Sequence, residues 1–413
     1  MIADFSGGGA VDLPRALERC VDCTAAEFAE QHWGRAPRLT RAAQLSGGFT
    51  DLLDAAAVDE LVSNRGLRTP FARMAKDGTV LPTSAYTRGG GAGATIGDQL
   101  ADDRVLAALA DGATLVLQAL HRTWPPLVAF GTRLAGELGH PVQINAYITP
   151  PQNRGFAAHY DVHDVFVLQV AGRKRWTIHA PVVADPLENQ PWEERREAVA
   201  ARAAERPLLD PVLEPGDALY LPRGTIHAAE AIGETTIHIT VGVHPITRYH
   251  LVRQLLDTLQ DDAALRGSLP VGVDLADPGV LAGHVHETVA LLRDKLPDVP
   301  VSRIAERIGV DLMRRTRPEP IGPLAQLRAA ADVEHDTVVR LRIGTRLRLE
   351  HAADSVRLVL LDRTIALPAA TAEAVKTAVA GAPFRAGELP GLDPDDQLVL
   401  VRRLLREGLL VAG

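Results

Sequence analysis

Two kinds of hydrophobic pattern alternate along this chain, and each predicts its own kind of structure. Up to about residue 247, apolar side chains recur at every second position or in short continuous runs, which is typical of β-strands. The strands predicted in this part are residues 113–120, 142–149, 162–170, 173–178, 218–221 and 234–243. Residues 162–170 are apolar almost throughout, so we expect that strand to be buried. Residues 11–33 and 125–138 have helical spacing instead, and Thr24 with Glu27 predicts a helix start through a capping box.

Beyond Pro245 the apolar positions are spaced as in helices. Residues 248–263, 278–296 and 302–316 predict an all-helical region. Short strands are then predicted at 346–351, 356–362 and 364–368, followed by helices at 370–380 and 394–407, the last with Asp393 as its N-cap. Helices beside a small hairpin are typical of a winged helix. We therefore predict three domains, at residues 1–247, 248–320 and 321–413.

The composition is that of a soluble globular protein. The chain has 413 residues, of which 46% are hydrophobic and 23% charged, and no apolar run reaches the roughly 20 residues that a membrane span needs. The first residues lack the basic and apolar segments of a secretory signal, so a cytoplasmic protein is expected. The net charge of −8 gives no general attraction to nucleic acid.

The two cysteines, Cys20 and Cys23, form a single Cys-x-x-Cys pair. Such a pair could be half of a zinc site or a redox pair, but the sequence offers no second cysteine pair and no βαβ context nearby. We therefore favour structural thiols, and metal or redox use stays the alternative.

The candidate chemistry centres on a His-x-Asp pair, His159 and Asp161, just before the apolar run at 162–170. Alternate residues of a strand share a face, so both side chains can point at one spot. A His and an Asp are two of the three ligands of a 2-His-1-carboxylate triad, which leaves positions open on non-haem Fe(II). Taken alone, a His-x-Asp pair is more often an ordinary surface pair.

A third ligand is offered by the segment 214–227, EPGDALYLPRGTIH. Its spacing, from Gly216 through Pro222 and Gly224 to His227, resembles the second metal-binding motif of the cupins, which are double-stranded β-helices of the jelly-roll type. The two motifs together, in this order, favour a metal site.

The polar residues of the predicted strand 142–149 also need an explanation. Gln143, Asn145 and Tyr147 share one face of a strand that is otherwise apolar, and buried polar groups require partners. Asn145 and Tyr147 are thus candidates for lining a polar pocket, and satisfied core residues are an equal alternative.

The centre of the chain resembles the JmjC-type ribosomal oxygenases, which are Fe(II)- and 2-oxoglutarate-dependent protein hydroxylases. The residues that carry the resemblance are NAYITPPQNRGFAAHYDVHDVFVLQVAGRKRW at 145–176 and EPGDALYLPRGTIHAAE at 214–230, and the segment 28–37 fits as well. The resemblance implies an α+β protein with a mainly β core: a JmjC jelly roll, a helical dimerisation domain and a C-terminal winged helix. It also implies iron, 2-oxoglutarate and O2, a ribosomal protein as substrate, and a homodimer.

The resemblance assigns roles to individual positions. His159, Asp161 and His227 match the iron ligands, and Lys174 matches the residue that pairs with the distal carboxylate of 2-oxoglutarate. A buried carboxylate needs such a cation. Without this likeness, Lys174 would be read as a solvated turn charge. Positions further from the iron are assigned to cosubstrate binding, namely Asn145, Tyr147 and Thr240, and to a substrate pocket, namely Tyr147, His238 and Gly242.

One departure leaves the target residue open. The histidyl-hydroxylase branch, to which Lys174 points, usually has a serine two residues after the His-x-Thr of the last barrel strand. Here His238 and Thr240 are followed by Val241 and Gly242, as in the arginyl branch. The expected reaction is thus β-hydroxylation of a His or Arg side chain.

Three other functions remain open. The same chemistry could act on another protein or on a peptide natural product. A non-oxygenase cupin, such as an isomerase or a storage module, is a second alternative, against which Lys174 argues because such a protein needs no buried cation. A DNA-binding regulator is the third, and the acidic charge disfavours it, since Asp393, Asp395 and Asp396 lie beside the arginines of helix 394–407.

Overall fold

Two antiparallel sheets form the centre of the first part of the chain, as seen in a computed structural model that describes residues 15–76, 78–93, 95–151 and 157–413. The strands of this part are β1 (Arg38–Thr40), β2 (Ala72–Lys76), β3 (Thr79–Val80), β4 (Thr87–Arg88), β5 (Gln99–Leu100), β6 (Thr114–Leu117), β7 (Val142–Thr149), β8 (Asp164–Ala171), β9 (Lys174–His179), β10 (Val212–Leu213), β11 (Ala218–Leu221), β12 (Ile226–Ala231) and β13 (Thr236–Val243). The large sheet has the order β1-β11-β8-β13-β7-β6-β2-β3, and the small one has the order β10-β9-β12. This is the jelly roll that the sequence predicted.

Strand β8 lies at the centre because both of its faces are apolar. Val165 and Val167 pack with Trp176, Ile178 and other side chains of the small sheet, so the two sheets face each other there. Phe166 and its alternate neighbours belong to the main core on the opposite face. The continuous apolar run predicted such burial, and seven of the eight residues of β8 are buried.

Five helices pack against the main core beside the large sheet: α1 (Ala25–Gln31), α2 (Ala55–Ser63), α3 (Asp102–Ala110), α4 (Leu120–Thr123) and α5 (Pro125–Leu138). A sixth helix, α6 (Arg196–Ala203), packs its Val199 against Ile226 of the small sheet. The capping box between Thr24 and Glu27 is present at the start of α1, as predicted. The predicted helical segment 11–33 begins outside the described residues, which start at residue 15.

The turn between β8 and β9 requires glycine. Gly172 has φ +64°, and a Cβ there would lie 2.4 Å from the carbonyl oxygen of Thr235. Only glycine avoids both the left-handed strain and this close approach. The turn returns the chain as β9, so that Lys174 begins the strand that pairs with β12.

Four helices follow the jelly roll: α7 (Arg248–Thr258), α8 (Ala263–Arg266), α9 (Pro278–Lys295) and α10 (Val301–Arg315). Helix α9 has 18 residues, and none of them is buried. Because several of its side chains are aliphatic, the helix carries an uncovered apolar surface.

The last segment has a buried core of its own. It contains α11 (Pro323–Ala331), β14 (Val338–Leu341), β15 (Arg348–His351), β16 (Ser355–Val359), β17 (Thr364–Pro368), α12 (Ala372–Ala378), β18 (Phe384–Arg385), α13 (Pro394–Arg406) and β19 (Leu410–Ala412). The strands form two three-stranded sheets, β18-β14-β19 and β15-β16-β17. The side chain of Asp393 caps α13 by accepting the backbone N–H of Asp396, as predicted.

The two cysteines lie in different environments. Cys20 is buried, its thiol donates to the carbonyl of Ala16 at 3.5 Å, and burial raises the pKa of that thiol. Cys23 is half-buried, and both cysteines are free, in keeping with structural thiols. Over the described ranges, every helix is too short or too polar to cross a membrane.

Candidate metal centre and active site

A row of side chains crosses the large sheet on the face turned away from its helices. Strand pairing places Arg73 beside Val116, Val116 beside Tyr147, Tyr147 beside His238, and His238 beside Gln169. Alternation along β7 and β13 keeps Ile144, Ala146, Ile237 and Ile239 in the core on the other face. This face of the sheet therefore carries a row of polar side chains inside an otherwise apolar jelly roll, and we call this row the polar floor.

The structure brings His159, Asp161 and His227 together at this floor. His159 and His227 form an isolated antiparallel bridge, in which each backbone N–H donates to the other residue's carbonyl, at 3.1 and 2.8 Å. Gly224 donates its N–H to the carbonyl of Asp161 at 2.9 Å and fixes the backbone there. One ligand atom from each of the three side chains lies within 4.8 Å of the others. Three such donors around one point can hold a single cation on one side.

Hydrogen bonds set the tautomer of both histidines. Nδ1 of His159 lies 2.7 Å from the carbonyl oxygen of Ala157, and Nδ1 of His227 lies 3.0 Å from that of Thr225. A carbonyl can only accept, so each Nδ1 carries the proton. The Nε2 lone pairs are left for a ligand bond, which is the arrangement that metal-binding histidines usually have.

The charges of the triad suit a divalent cation. Burial, with a further contribution from His159, lowers the pKa of His227 to about 4, so that its imidazole is neutral at physiological pH. Burial opposes ionisation of Asp161, but His163, His227 and His159 together hold the pKa of Asp161 below its usual value. The site thus presents two imidazole nitrogens and one carboxylate, a donor set that suits non-haem iron.

Lys174 is buried and has no acidic partner among the residues that the structure describes. Its side chain is 2% exposed, and Nζ donates to the hydroxyl of Thr149 at 3.1 Å. Burial lowers the pKa of Lys174 to about 7. Among the buried polar atoms that have no hydrogen-bond partner within the described residues are Thr236 Oγ1, His238 Nδ1 and Trp176 Nε1, which lie on the same strands as this site. Such unsatisfied groups around a buried ammonium fit a small anionic ligand.

The remaining predicted residues line this space in different ways. The ring of Tyr147 stacks on His238 with centroids 4.9 Å apart. Burial raises the pKa of the Tyr147 phenol, whose hydroxyl hydrogen-bonds with Arg73 and Thr240. Asn145 already has a structural task, since its Oδ1 accepts the N–H of Ala119 at 3.1 Å.

Gly242 has a physical explanation that the sequence did not offer. A Cβ at this position would lie 3.0 Å from the imidazole ring of His163. That ring packs in turn against His244, with centroids 5.0 Å apart. The ring of His163 thus lies against position 242, and a side chain there would require this ring to move by a few tenths of an ångström.

Three residues of the site, Arg73, Trp176 and Thr149, were not predicted from the sequence. Arg73 hydrogen-bonds with Tyr147, and Trp176 packs between the rings of His227 and His238, with centroids 5.9 and 5.5 Å away. Alternation along β2 and β9 could have shown that Arg73 and Trp176 face inward. Only the register of β2 on β6 and of β6 on β7 shows that Arg73 reaches the site.

Comparison with known proteins identifies the central part of the chain. Residues 132–251 match the JmjC domain. The bifunctional lysine-specific demethylase and histidyl-hydroxylase NO66 of Drosophila persimilis is 30% identical over 275 residues, which are 60% of this chain and 35% of that protein. Ribosomal oxygenase 1 of Rattus norvegicus is 29% identical over 346 residues, which are 73% of this chain and 57% of that protein. The chain thus spans between about a third and somewhat over half of these relatives.

Among solved structures, the ribosomal oxygenase YcfD of Escherichia coli is similar over almost the whole chain. Its TM-score is 0.51 at 18% identity, and the likeness covers 95% of this chain and 98% of that one. The same protein has been solved in complex with cobalt and 2-oxoglutarate, with a TM-score of 0.51. At this identity the likeness establishes the fold.

Proposed function

We propose that this chain, whose residues 132–251 match the JmjC domain, is a cytoplasmic Fe(II)- and 2-oxoglutarate-dependent oxygenase that hydroxylates a side chain of a ribosomal protein. The observation that carries the proposal is the pairing of a facial His-Asp-His cluster with a buried, anion-free lysine in one jelly roll. Each feature alone has other uses, whereas the combination matches one metal and one dicarboxylate.

The proposed roles follow from the geometry. His159, Asp161 and His227 hold Fe(II) on one side through two Nε2 atoms and a carboxylate. Lys174, with Thr149 beside it, receives the distal carboxylate of 2-oxoglutarate. When bound, the iron with its cosubstrate supplies the oxidative decarboxylation that activates O2. The chain's own contribution is to orient the bound groups and to keep the site dry.

A metal-binding cupin without oxygenase activity is the weaker proposal. Such a protein could use the same three ligands, yet it would have no need of Lys174. A buried lysine costs stability unless an anion neutralises it. The buried unpaired atoms of Thr236, His238 and Trp176 point the same way, because they too need a polar ligand.

The target side chain is proposed to be a histidine or an arginine, attacked at its β-carbon. Tyr147, His238 and the surroundings of Gly242 are the proposed target pocket. The imidazole of His163 lies against position 242. It could therefore contact the target residue, as the serine does at this position in the histidyl branch. The same chemistry on another protein or on a peptide natural product is the alternative substrate.

The test of the function is the intact mass of every ribosomal protein from wild-type cells and from cells lacking this chain. We expect one protein to be lighter by the mass of a single oxygen atom after deletion, and fragmentation then locates the modified residue. Complementation with wild-type protein should restore the mass, and complementation with the Asp59→Asn variant should do so too, since Asp59 is exposed on α2. Unchanged masses for all ribosomal proteins would contradict a ribosomal substrate and direct the search to other peptides.

The helical region is proposed to form a homodimer, and the last segment a winged-helix-like domain that does not bind DNA. Helix α9 supports the first proposal because its aliphatic side chains are uncovered: Val285 is 47% exposed and Val289 is 40% exposed. Leu251, Val252 and Leu256 of α7 are also exposed, so a second helix of this region carries uncovered aliphatic side chains. Monomers rarely leave so large an apolar area in water.

A double variant, Val285→Glu with Val289→Glu, is expected to turn the dimer into a monomer. The new carboxylates would be buried without partners in the interface. Light scattering after gel filtration should give about twice the chain mass of 44.2 kDa for wild type and one chain mass for the variant. Ala290→Glu, on the other side of the same helix, is the matched control and should stay dimeric. A monomeric wild type would refute the proposal.

A further inference from the structure

A cavity whose lining contains none of the three metal ligands lies where the jelly roll meets the segments that follow it. Its volume is about 230 Å³. Helices α4 and α5 form one wall, and the end of α10 with residues 343–346 forms the other. The two walls are closely packed, because Gly344 has φ +76° and a Cβ there would lie 2.8 Å from the Thr132 side chain. The cavity is therefore a partly open cleft between two parts of the chain that are distant in sequence.

The charge of the lining is strongly one-sided. Six arginines and a single glutamate line the cavity, in a chain whose net charge is −8. The glutamate, Glu137, is already engaged, since its two carboxylate oxygens accept the backbone N–H groups of Ala16 and Leu17 at 2.8 and 2.9 Å. The arginines consequently have little compensation from acids within the lining. Arg133, Arg315 and Arg346 are partly buried there, whereas the other three are exposed at its rim.

Two of the six arginines have an explanation that needs no ligand. Arg315 pairs with Glu188 at 3.2 Å and with Asp311 at 4.0 Å. Arg314 lies in the last turn of α10, where a cation stabilises the negative end of a helix. The other four are Arg122, Arg133, Arg317 and Arg346, and none of them has an acidic partner within the part of the chain that the structure describes.

Among these four arginines, Arg346 gives the strongest indication of a bound anion. It is half-buried, and burial alone lowers the pKa of its guanidinium, because no carboxylate offsets the loss of water. A half-buried guanidinium without a counter-ion is costly to the free protein and is relieved by a bound anion. Position 346 thus resembles a binding group more than a structural one.

His121 adds a neutral donor to the same lining. Its Nδ1 accepts the backbone N–H of Ile144 at 3.0 Å, so the ring proton must be on Nε2. Burial, followed by the charges of Arg122 and Arg317, lowers the pKa of His121 to about 4. The imidazole therefore stays neutral and keeps one N–H for a ligand oxygen.

We propose that this cavity binds a small phosphate-bearing organic anion, such as a nucleoside monophosphate. Arginine forks match phosphate oxygens through paired hydrogen bonds. Val128, Val142 and Ile343 line the cavity beside the arginines and suit the less polar part of such a molecule. A cleft with a volume of only about 230 Å³ favours a small molecule over a nucleic-acid chain. The bound anion would hold α5 against residues 314–346 and stabilise their contact.

The test uses the full-length protein and two phosphate probes, AMP and inorganic pyrophosphate, titrated by calorimetry at low and at physiological salt. Both probes should bind, with an affinity that falls as salt rises. Arg346→Met keeps most of the apolar stem and removes the charge, so Kd should rise about tenfold or more, as the loss of one charge-assisted hydrogen bond implies. Arg357→Met, an exposed arginine on β16 outside the cavity, is the matched control and should leave Kd unchanged.

The ligand-free melting temperature separates a binding role from a structural one. Because Arg346 is uncompensated, Arg346→Met should melt at the same temperature as wild type or higher, while the stabilisation by AMP disappears. Binding of both probes that Arg346→Met and Arg317→Met leave unaltered would overturn the proposal, as would absence of binding at millimolar concentration. A short single-stranded RNA that binds while AMP does not would overturn the commitment to a small ligand. None of these outcomes depends on oxygenase activity.

Discussion

Asp161→Asn is expected to lose both metal binding and the oxidation of 2-oxoglutarate to succinate. The substitution keeps the size of the side chain and removes the one carboxylate from a triad whose other two members are imidazoles. Replacing groups that merely orient metal ligands costs about 10–100-fold in affinity or activity. Removing a ligand charge should cost more than that, so turnover should fall at least about 100-fold.

The measurement pairs metal content after dialysis against Fe(II) with succinate formation under saturating 2-oxoglutarate. Asp59→Asn is the control, because this exposed residue of α2 undergoes the same chemical change away from the site. The circular dichroism of both variants should match that of wild type, since the backbone of Asp161 is held by Gly224 through its carbonyl and not through its side chain. Full turnover in the Asp161→Asn variant would refute the proposed metal centre.

The first half of this site could be predicted from short-range pattern. His159 and Asp161 alternate along one extended segment, and the turn residues before His227 are spaced as in a known metal motif. The bridge between His159 and His227 then needs only ordinary strand pairing. Local spacing carries this information, because each of the two motifs is confined to a few consecutive residues.

The remaining features could not be predicted from local sequence patterns. Arg73 reaches Tyr147 through the registers of two strand pairs, and no local pattern encodes those registers. The ring of His163 against Gly242 depends on the packing of β8 on β13. The arginine-lined cavity joins positions 122 and 133 to positions 317 and 346, and each of these arginines looks like an ordinary surface charge in the sequence.

Lys174→Met is expected to weaken 2-oxoglutarate binding and, at the same time, to stabilise the ligand-free protein. Lys174 is buried among apolar and uncharged neighbours, and its bound anion would lose a buried partner in the variant. Removing one partner of a buried ion pair costs about 3–5 kcal/mol, so the dissociation constant should rise about 100-fold or more. Lys376→Met, at an exposed position of α12, is the matched control and should change neither property.

The pH dependence makes this second prediction specific to the charge of Lys174. Burial lowers its pKa to about 7 in the folded, ligand-free protein, whereas a lysine of the unfolded chain keeps its proton up to about pH 10.4. Between these values the unfolded chain binds more protons, so the wild type gains stability as pH rises through this window. Below pH 7 the cost of burying the charge is complete, and the advantage of Lys174→Met should be largest there and shrink toward pH 10.

Binding of 2-oxoglutarate should reverse this effect of burial. The distal carboxylate favours the charged ammonium and raises the pKa of Lys174, so the wild type should take up a proton when it binds 2-oxoglutarate at pH 8. Calorimetry in two buffers of different ionisation enthalpy measures that uptake directly, and Lys174→Met should abolish it. Wild-type affinity in this variant would mean that another cation receives the carboxylate, and Arg73, which already contacts Tyr147 beside the triad, would be the first to examine.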